Sequence, residues 1–254
     1  MCAREECVPH PSAAACDHPA RSAAHPSFVQ VRPRAGTTWP SLAPNGDSLG
    51  RSGIKGIVYL SVFKGDTYTD VPHFAGKHTV ERMIEDLSLP ATVLRPAYFI
   101  QNDLRQKEPL LKSGVYGIPI GSKGVSMVDI RDIGESAAIK LLRRHRAPEA
   151  LSRETYGLVG PDALNGEQIA TIWGEALGQS VRYGGDDLAA MEQRMKGIIP
   201  SWHAMDLRLM LSRYQTDGAV ASATDLARLT TLLGHAPRSY RAFAIDAAAQ
   251  WAGG

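Results

Sequence analysis

The chain has 254 residues, of which 44% are hydrophobic and 21% are charged, and its formal net charge at pH 7 is +2. This composition excludes collagen-like, fully disordered and disulfide-scaffold proteins, and it is typical of one large globular domain or two small ones. The nearly balanced charge indicates no strong attraction to nucleic acid or to an anionic membrane, so a small molecule is the expected ligand.

Residues 1–53 are rich in Ala, Pro, Ser, His and Arg, show no helical or strand periodicity, and contain few branched aliphatic residues. Such a segment cannot bury enough apolar surface to offset its chain entropy, which predicts a disordered or non-native leader, with a transit peptide as the alternative. Its cysteines and histidines lack the spacing of a tetrahedral zinc site, and prolines separate them: Cys7, His10, Cys16 and His18.

All three cysteines of the chain lie in this segment, so the rest of the sequence has none, which fits a reducing compartment. No apolar run approaches the roughly 20 residues of a membrane-spanning helix, and no secretory signal is recognisable. We therefore expect a cytoplasmic protein.

From residue 54 onward, apolar runs alternate with amphipathic segments. Residues 57–62 (IVYLSV) predict a buried strand, residues 77–87 have apolar side chains at helical spacing, and residues 91–94 (ATVL) predict a second strand. A strand, a helix and a strand with short connections form a crossover, so the sequence predicts an α/β fold with a parallel sheet. Ligands of such sheets bind beyond the carboxyl ends of the strands.

The remaining elements follow in two groups. Up to residue 160 we predict strands at 115–118, 124–128 and 156–159 and a helix at 133–142. From residue 161 to residue 254 we predict a smaller, mostly helical lobe over the ligand end of the sheet, with a short strand at 181–183 and helices at 164–177, 187–196, 203–214, 224–233 and 239–251. Asn165 or Leu164 is expected near the cap of the first of these helices, and Gly178 is expected to end it.

His73 and Lys77 are candidate catalytic residues, because residues four apart share one face of a helix. A histidine can donate or accept a proton near neutral pH, since its unperturbed pKa is about 6.5. The alternative is a solvated first turn of a helix without a chemical role.

The context of these residues is a set of motifs in a fixed order. Ser61 ends the first strand, PHFAGK follows, the second strand ends in VLRPAYF, and VDIRDIG comes later. In order and spacing these motifs resemble the NmrA-like family of atypical short-chain dehydrogenases, over about residues 54–251. The matching residues are Ser61, His73, Lys77, Glu81, Arg95, Pro96, Phe99, Asn102, Asp129, Arg131 and Asp132.

The resemblance implies a partial Rossmann-like, doubly wound sheet that binds NADP or NAD. It implies that Ser61 and Lys77 face the nicotinamide ribose, and that a second group of residues lines the nicotinamide and substrate pocket: Arg95 and Pro96 through the backbone that follows them, and the rings of Tyr98 and Phe99. In short-chain dehydrogenases a tyrosine stands where this sequence has His73, so His73 would be the proton donor, assisted by Lys77.

Structural alternatives exist for each of these residues. Ser61 could cap a strand end, Tyr98 and Phe99 could be core aromatics, and Arg95 could brace a loop through a carboxylate. Two further groups favour structural roles, namely an ion pair at a helix start and a solvated helix end: Asp129, Arg131 and Asp132 for the first, and Arg143, Arg144 and Arg146 for the second.

The family's glycine-rich strand, turn and helix, which bind the pyrophosphate, have no counterpart in this sequence, where the leader stands in their place. We expect this segment in the upstream reading frame, and we expect a chain that contains it to bind dinucleotide and the present chain not to.

Three functions remain open. The first is an oxidoreductase that reduces a small carbonyl or quinone, and the second is a non-catalytic NADP-sensing regulator with a protein partner. The third is a truncated chain that is unable to bind cofactor. No metal site is predicted.

Overall fold

The computed structural model describes residues 56–253. The predictions for residues 1–53, including the leader and the rejected zinc site, lie outside the described residues.

The described elements alternate between strands and helices in the first half and are mainly helical afterwards. The strands are β1 Ile57–Leu60, β2 Ala91–Pro96, β3 Val115–Tyr116, β4 Glu154–Leu158 and β5 Arg182–Tyr183. The helices are α1 Pro72–Asp86, α2 Lys107–Ser113, α3 Ile130–Arg146, α4 Gly166–Leu177, α5 Leu188–Lys196, α6 Ser201–Thr216, α7 Ala223–Leu233 and α8 Tyr240–Ala252, and a 3-10 helix, Ile100–Gln106, follows β2.

The three longer strands form one parallel sheet in the order β1-β2-β4. β1 pairs with β2 along its whole length, from Ile57 to Leu60, and β4 pairs with the other side of β2, from Thr92 to Pro96. The predicted parallel crossover is therefore confirmed. Because β1 and β2 run in the same direction, the residues that follow Leu60 and Pro96 lie at the same edge of the sheet.

Helices cover both faces of this sheet, as predicted for a doubly wound fold. Alternate strand residues point to opposite faces, so Tyr59 and Val93 pack against Ile84 of α1. On the other face, α3 and α7 complete a cluster of buried side chains: Val58, Leu94, Leu158, Ile133, Leu229 and Leu233. α7 thus packs on the sheet, although it follows residue 161 in the chain.

The helical part of the chain is organised around α4. Its N-cap, Asn165, forms a capping box with Gln168, and Gly178 ends it in the left-handed region at φ 64°, as predicted from the sequence. Trp173 of α4 stacks on Trp251 of α8 with ring centroids 5.0 Å apart. α8 is therefore anchored to α4 by aromatic packing.

One local prediction is wrong, and one predicted helix is too short. Residues 124–128 do not form a strand, since Val125 makes single bridges to Leu164 and to Ala219. The helix predicted at 133–142 is longer, because Asp129 caps its first turn by accepting the N–H of Arg131 at 2.8 Å.

Arg144 was expected on a solvated helix end, and it is buried instead. Its Nε donates to Thr92 Oγ1 at 2.8 Å, and its two terminal nitrogens donate to the carbonyl oxygens of Leu151 and Ser152 at 3.0 and 2.9 Å. The guanidinium therefore ties α3 to β2 and to the segment before β4. Among residues 56–253, no helix is both long and apolar enough to cross a membrane.

Candidate functional site

The candidate site lies where β1 and β2 end. The N–H of Ser61 donates to Leu94 O at 2.7 Å and the N–H of Phe63 donates to Pro96 O at 2.9 Å, so the chain stays paired beyond both strands. Ser61 is 4% exposed, and its Oγ finds no hydrogen-bond partner among residues 56–253. Such a group costs about 1–3 kcal/mol while it is unsatisfied, so it marks a place where a polar partner is needed.

Lys77 reaches the same strand end from α1. Its Nζ donates to Leu60 O at 3.0 Å and lies 5.5 Å from the centre of the Tyr59 ring. Burial lowers the pKa of Lys77. The ammonium thus contacts the residue that directly precedes Ser61, and the structure brings these two predicted residues together.

His73 lies one turn before Lys77, because α1 begins at Pro72 and not at residue 77. Proline is favoured in this first position, where its missing N–H is not needed for the helix. His73 Nδ1 lies 2.5 Å from Asp206 Oδ2, and the backbone N–H of His73 donates to Asp206 Oδ1 at 3.1 Å. The His73 side chain is 39% exposed, whereas that of Asp206 is only 7% exposed.

Opposing effects act on the charge of His73. Its partial burial lowers its pKa below the ordinary value, and the Asp206 carboxylate opposes this shift without reversing it. His203 on α6 and Lys77 on α1 lower the pKa further because both can carry positive charge. The surroundings of His73 thus favour the neutral imidazole more than water does, and Asp206 is the group among them that favours the protonated form.

Arg95 braces the site. Its guanidinium pairs with the buried carboxylate of Glu81 on α1, and Nη1 donates to Asp66 Oδ2 at 2.8 Å. These contacts are those of the structural alternative, in which Arg95 fixes a loop. They tie the end of β2 to α1 and to the loop that follows β1.

Pro96, Tyr98 and Phe99 lead away from the end of β2. Pro96 is buried as the last residue of the strand, and Phe99 packs with the cluster on the α3 and α7 face. Tyr98 is directed into the helical part, where its hydroxyl donates to Asp103 Oδ1 at 3.1 Å. Its ring meets that of Tyr214 on α6 edge to face, with centroids 6.4 Å apart. The two neighbouring aromatics therefore face different clusters.

A sequence profile of the NmrA-like family matches residues 47–234. The chain belongs to this family. It is 29% identical to the NAD(P)H azoreductase of Xenophilus azovorans over 118 residues, which cover 46% of this chain and 40% of that protein. The chain thus spans less than half the length of this relative.

Solved structures share the fold of this chain. The NADPH-dependent quinone oxidoreductase QOR2 of Escherichia coli, in complex with NADPH, is 21% identical with a TM-score of 0.66, and the match covers 81% of this chain and 69% of that one. NmrA, a negative transcriptional regulator solved in complex with NADP, is 19% identical with a TM-score of 0.58, covering 79% and 67%. At these identities the likeness concerns the fold, and it confirms the predicted Rossmann-like α/β class.

Two buried aspartates of this NmrA-like fold were missed by the sequence analysis. Asp206 occupies an inward position of α6, and Asp103 lies on the 3-10 helix that follows β2. Asp103 is fully buried and accepts hydrogen bonds from three tyrosines: Tyr98 at 3.1 Å, Tyr116 at 2.9 Å and Tyr240 at 2.5 Å. A carboxylate on the apolar side of a helix was the available signal for Asp206, because such a position is rarely charged without a partner.

Other places in the described part could hold a ligand less well. Ligand atoms of Asp132, Glu135 and His235 lie within 4.8 Å of one another. The guanidinium of Arg238 already pairs with both carboxylates. The ion pair predicted at the start of α3 forms between Arg131 and Asp129, 2.7 Å apart. Two surface cavities of about 490 and 400 Å³ lie away from Ser61 and Lys77, the first beside residues 85–90 and 150–153 and the second between α3 and α7.

Proposed function

We propose that this NmrA-like protein binds the nicotinamide end of NADP or NAD at the carboxyl edge of β1 and β2. There it would reduce a small carbonyl or quinone, with His73 as the proton donor. The observation that carries the proposal is the convergence of Ser61, Lys77 and His73 at this edge.

Two groups at the strand end fit a sugar hydroxyl. Ser61 Oγ is buried and has no partner in the described part of the chain, and Lys77 Nζ has one hydrogen bond there, to Leu60 O. An ammonium has three donors, so two remain for a ligand. Ser61 and Lys77 would together hold the nicotinamide ribose, and the bound reduced dinucleotide would supply a hydride.

The proposal concerns the nicotinamide end of the cofactor only. Residues 56–253 contain no glycine-rich strand, turn and helix of the kind that binds a pyrophosphate.

His73 would complete the reduction. Addition of a hydride to a carbonyl carbon or a quinone leaves negative charge on oxygen, which must receive a proton. Protonated His73 would give the proton from the ring nitrogen that does not face Asp206, and it would become neutral in the same step. General acid catalysis of this kind contributes about 100- to 10,000-fold to a rate.

The acceptor would meet α6 beside His73. Trp202 is 62% exposed and stacks on His203, with ring centroids 5.3 Å apart. Residues four apart share a helix face, so Trp202 lies one turn from Asp206, which holds His73. An exposed indole in this position favours a planar, aromatic acceptor such as a quinone. The names of the similar azoreductase and quinone oxidoreductase support this choice.

The test has two steps. NADPH and NADH are titrated against the chain by fluorescence, and oxidation of the bound form is then followed with a quinone or an aldehyde. The sequence alone predicts that this chain does not bind dinucleotide. Because Ser61, Lys77 and His73 converge at the strand ends, we instead expect binding and acceptor-dependent oxidation, and we expect Lys77→Met to weaken dinucleotide binding. Lys112→Met is the matched control, because Lys112 pairs with Glu108 on the exposed side of α2. Failure to bind either dinucleotide contradicts the proposal.

A second outcome has its own meaning. Dinucleotide binding without oxidation by any acceptor would favour a sensor that reports the cofactor's state to a protein partner. The histidine at position 73, where short-chain dehydrogenases have a tyrosine, and the likeness to the regulator NmrA are the observations on that side.

A further inference from the structure

We propose that Asp206 is a positioning residue, which fixes the tautomer of His73 so that Nε2 faces the acceptor. This inference rests on the proposed function, in which His73 donates a proton. Asp206 lies 133 positions from His73 in the sequence, on α6, which is outside the crossover formed by β1, α1 and β2.

The first step of the argument is the geometry of the contact. The Asp206 carboxylate has two polar contacts with one residue: it accepts a hydrogen bond from the backbone N–H of His73 at 3.1 Å, and its Oδ2 lies 2.5 Å from the ring atom Nδ1. The carboxylate is nearly inaccessible to solvent, with 5% of the residue exposed. It is therefore held in place relative to both the backbone and the imidazole.

The second step is the chemistry of the two groups. An ionised carboxylate only accepts hydrogen bonds, so Nδ1 must carry a proton. In the neutral ring Nε2 then has the lone pair, and it is the atom that takes up and releases the exchangeable proton. Without the carboxylate, either nitrogen could be protonated and the ring could turn. A carboxylate that orients a catalytic histidine in this way is worth several orders of magnitude in serine proteases.

The third step is the charge around the ring. The groups that face His73 are Asp206 and His203 from α6 and Lys77 from its own helix. Asp206 is the only anion among these three, and it favours the charged form of His73. Its removal should therefore lower the pKa of His73. Because the proposed reaction needs protonated His73, activity should then decline at a lower pH than in the wild type.

The decisive variant is Asp206→Asn. The asparagine Oδ1 can still accept the His73 backbone N–H, but its amide group donates toward Nδ1 and favours the other tautomer. We expect kcat to fall at least about tenfold and the high-pH decline of kcat/KM to move to lower pH. Asp206→Glu should restore part of the activity. Dinucleotide binding should not change, since no hydrogen bond or ion pair joins Asp206 to Ser61 or Lys77 in the described part of the chain.

Asp70→Asn is the matched control. Asp70 pairs with Arg213 of α6 at 2.8 Å, so it also joins α6 to the start of α1, but it does not contact His73. Equal effects of Asp70→Asn and Asp206→Asn on kcat and on the pH profile would overturn the proposal, since both would then report loosened docking of α6.

A measurement without turnover separates this inference from the proposed function. Nitrogen NMR of the imidazoles distinguishes the two tautomers, and the His73 signals are assigned by their loss in His73→Gln. We expect a protonated Nδ1 in the neutral wild-type ring and a shift toward protonated Nε2 in Asp206→Asn. A wild-type ring protonated at Nε2, or a tautomer unchanged by the substitution, overturns the positioning role even if reduction is observed. The expected tautomers without reduction would contradict only the proposed function.

Discussion

Asp103 and Asp206 are both withdrawn from solvent, yet their surroundings differ. Asp103 is enclosed by the hydroxyls of Tyr98, Tyr116 and Tyr240, all of which are hydrogen-bonded to it. Asp206 has a partner, His73, whose side chain is 39% exposed. Asp103 therefore belongs to a closed network of tyrosine hydroxyls, whereas Asp206 is bonded to a titratable residue that a ligand can reach. We call this second arrangement the open end.

The difference separates a structural role from a chemical one. Tyrosine hydroxyls that face a buried carboxylate stay protonated, and burial raises the pKa of all three well above the usual value. Trp173 of α4 donates to Tyr240 at 2.9 Å and extends the network, so Asp103 joins the loop after β2 to the packing of α4 and α8. Asp206 is also a buried carboxylate, but its partner His73 carries a proton that can be released.

The largest effect is expected at the open end. His73→Gln should lower the rate of acceptor reduction by about 100-fold or more, because the general acid is lost. The affinity for dinucleotide should stay within a factor of two or so, since no ribose contact is assigned to His73. His145→Gln on the exposed end of α3 is the control, and it should react like the wild type. If His73→Gln turned over as fast as the wild type, Asp206 would have no chemical role through His73, and the contrast with Asp103 would be lost.

The closed network should appear in stability as a function of pH. Burial raises the pKa of Asp103 to about 6, against the opposing hydrogen bonds of the tyrosines. Between about pH 4 and pH 6 the folded state therefore binds more protons at this carboxyl than the unfolded state does. Its contribution to the free energy of unfolding is greatest below about pH 4 and falls by up to about 3 kcal/mol as the pH rises past 6.

Other carboxylates with lowered pKa values, such as Asp129, have the opposite dependence, so the measurement must be a difference. The free energy of unfolding in urea is measured for the wild type and for Asp103→Asn from pH 4 upward. The value for the wild type should fall relative to that of the variant as the pH rises. Asp162→Asn, at an exposed site, serves as the control. A difference that does not vary with pH would place Asp103 outside the titrating groups.

The two regions also differ in how far the sequence predicts them. The crossover at 57–96 was predicted because strand and helix periodicities are local, and α4 because Asn165 and Gly178 mark its ends. Asp103 and Asp206 gain their meaning from partners up to 137 and 133 residues away, which no local pattern contains. Val125 was taken for a strand residue for the same reason, since its bridges lead to two distant segments.

The smallest effect is expected at Trp202, which extends the open end toward the acceptor. Trp202→Ala should raise KM for a quinone by about 2- to 10-fold, the equivalent of an aromatic contact of about 0.5–1.5 kcal/mol. It should leave KM for a small aliphatic aldehyde and the free energy of unfolding unchanged, since the indole is 62% exposed. Ile245→Ala removes a side chain of α8 that is 53% exposed, and it controls for the general loss of surface apolar area. Equal increases in KM for both acceptors would mean that Trp202 shapes the approach to His73 without recognising a planar ring.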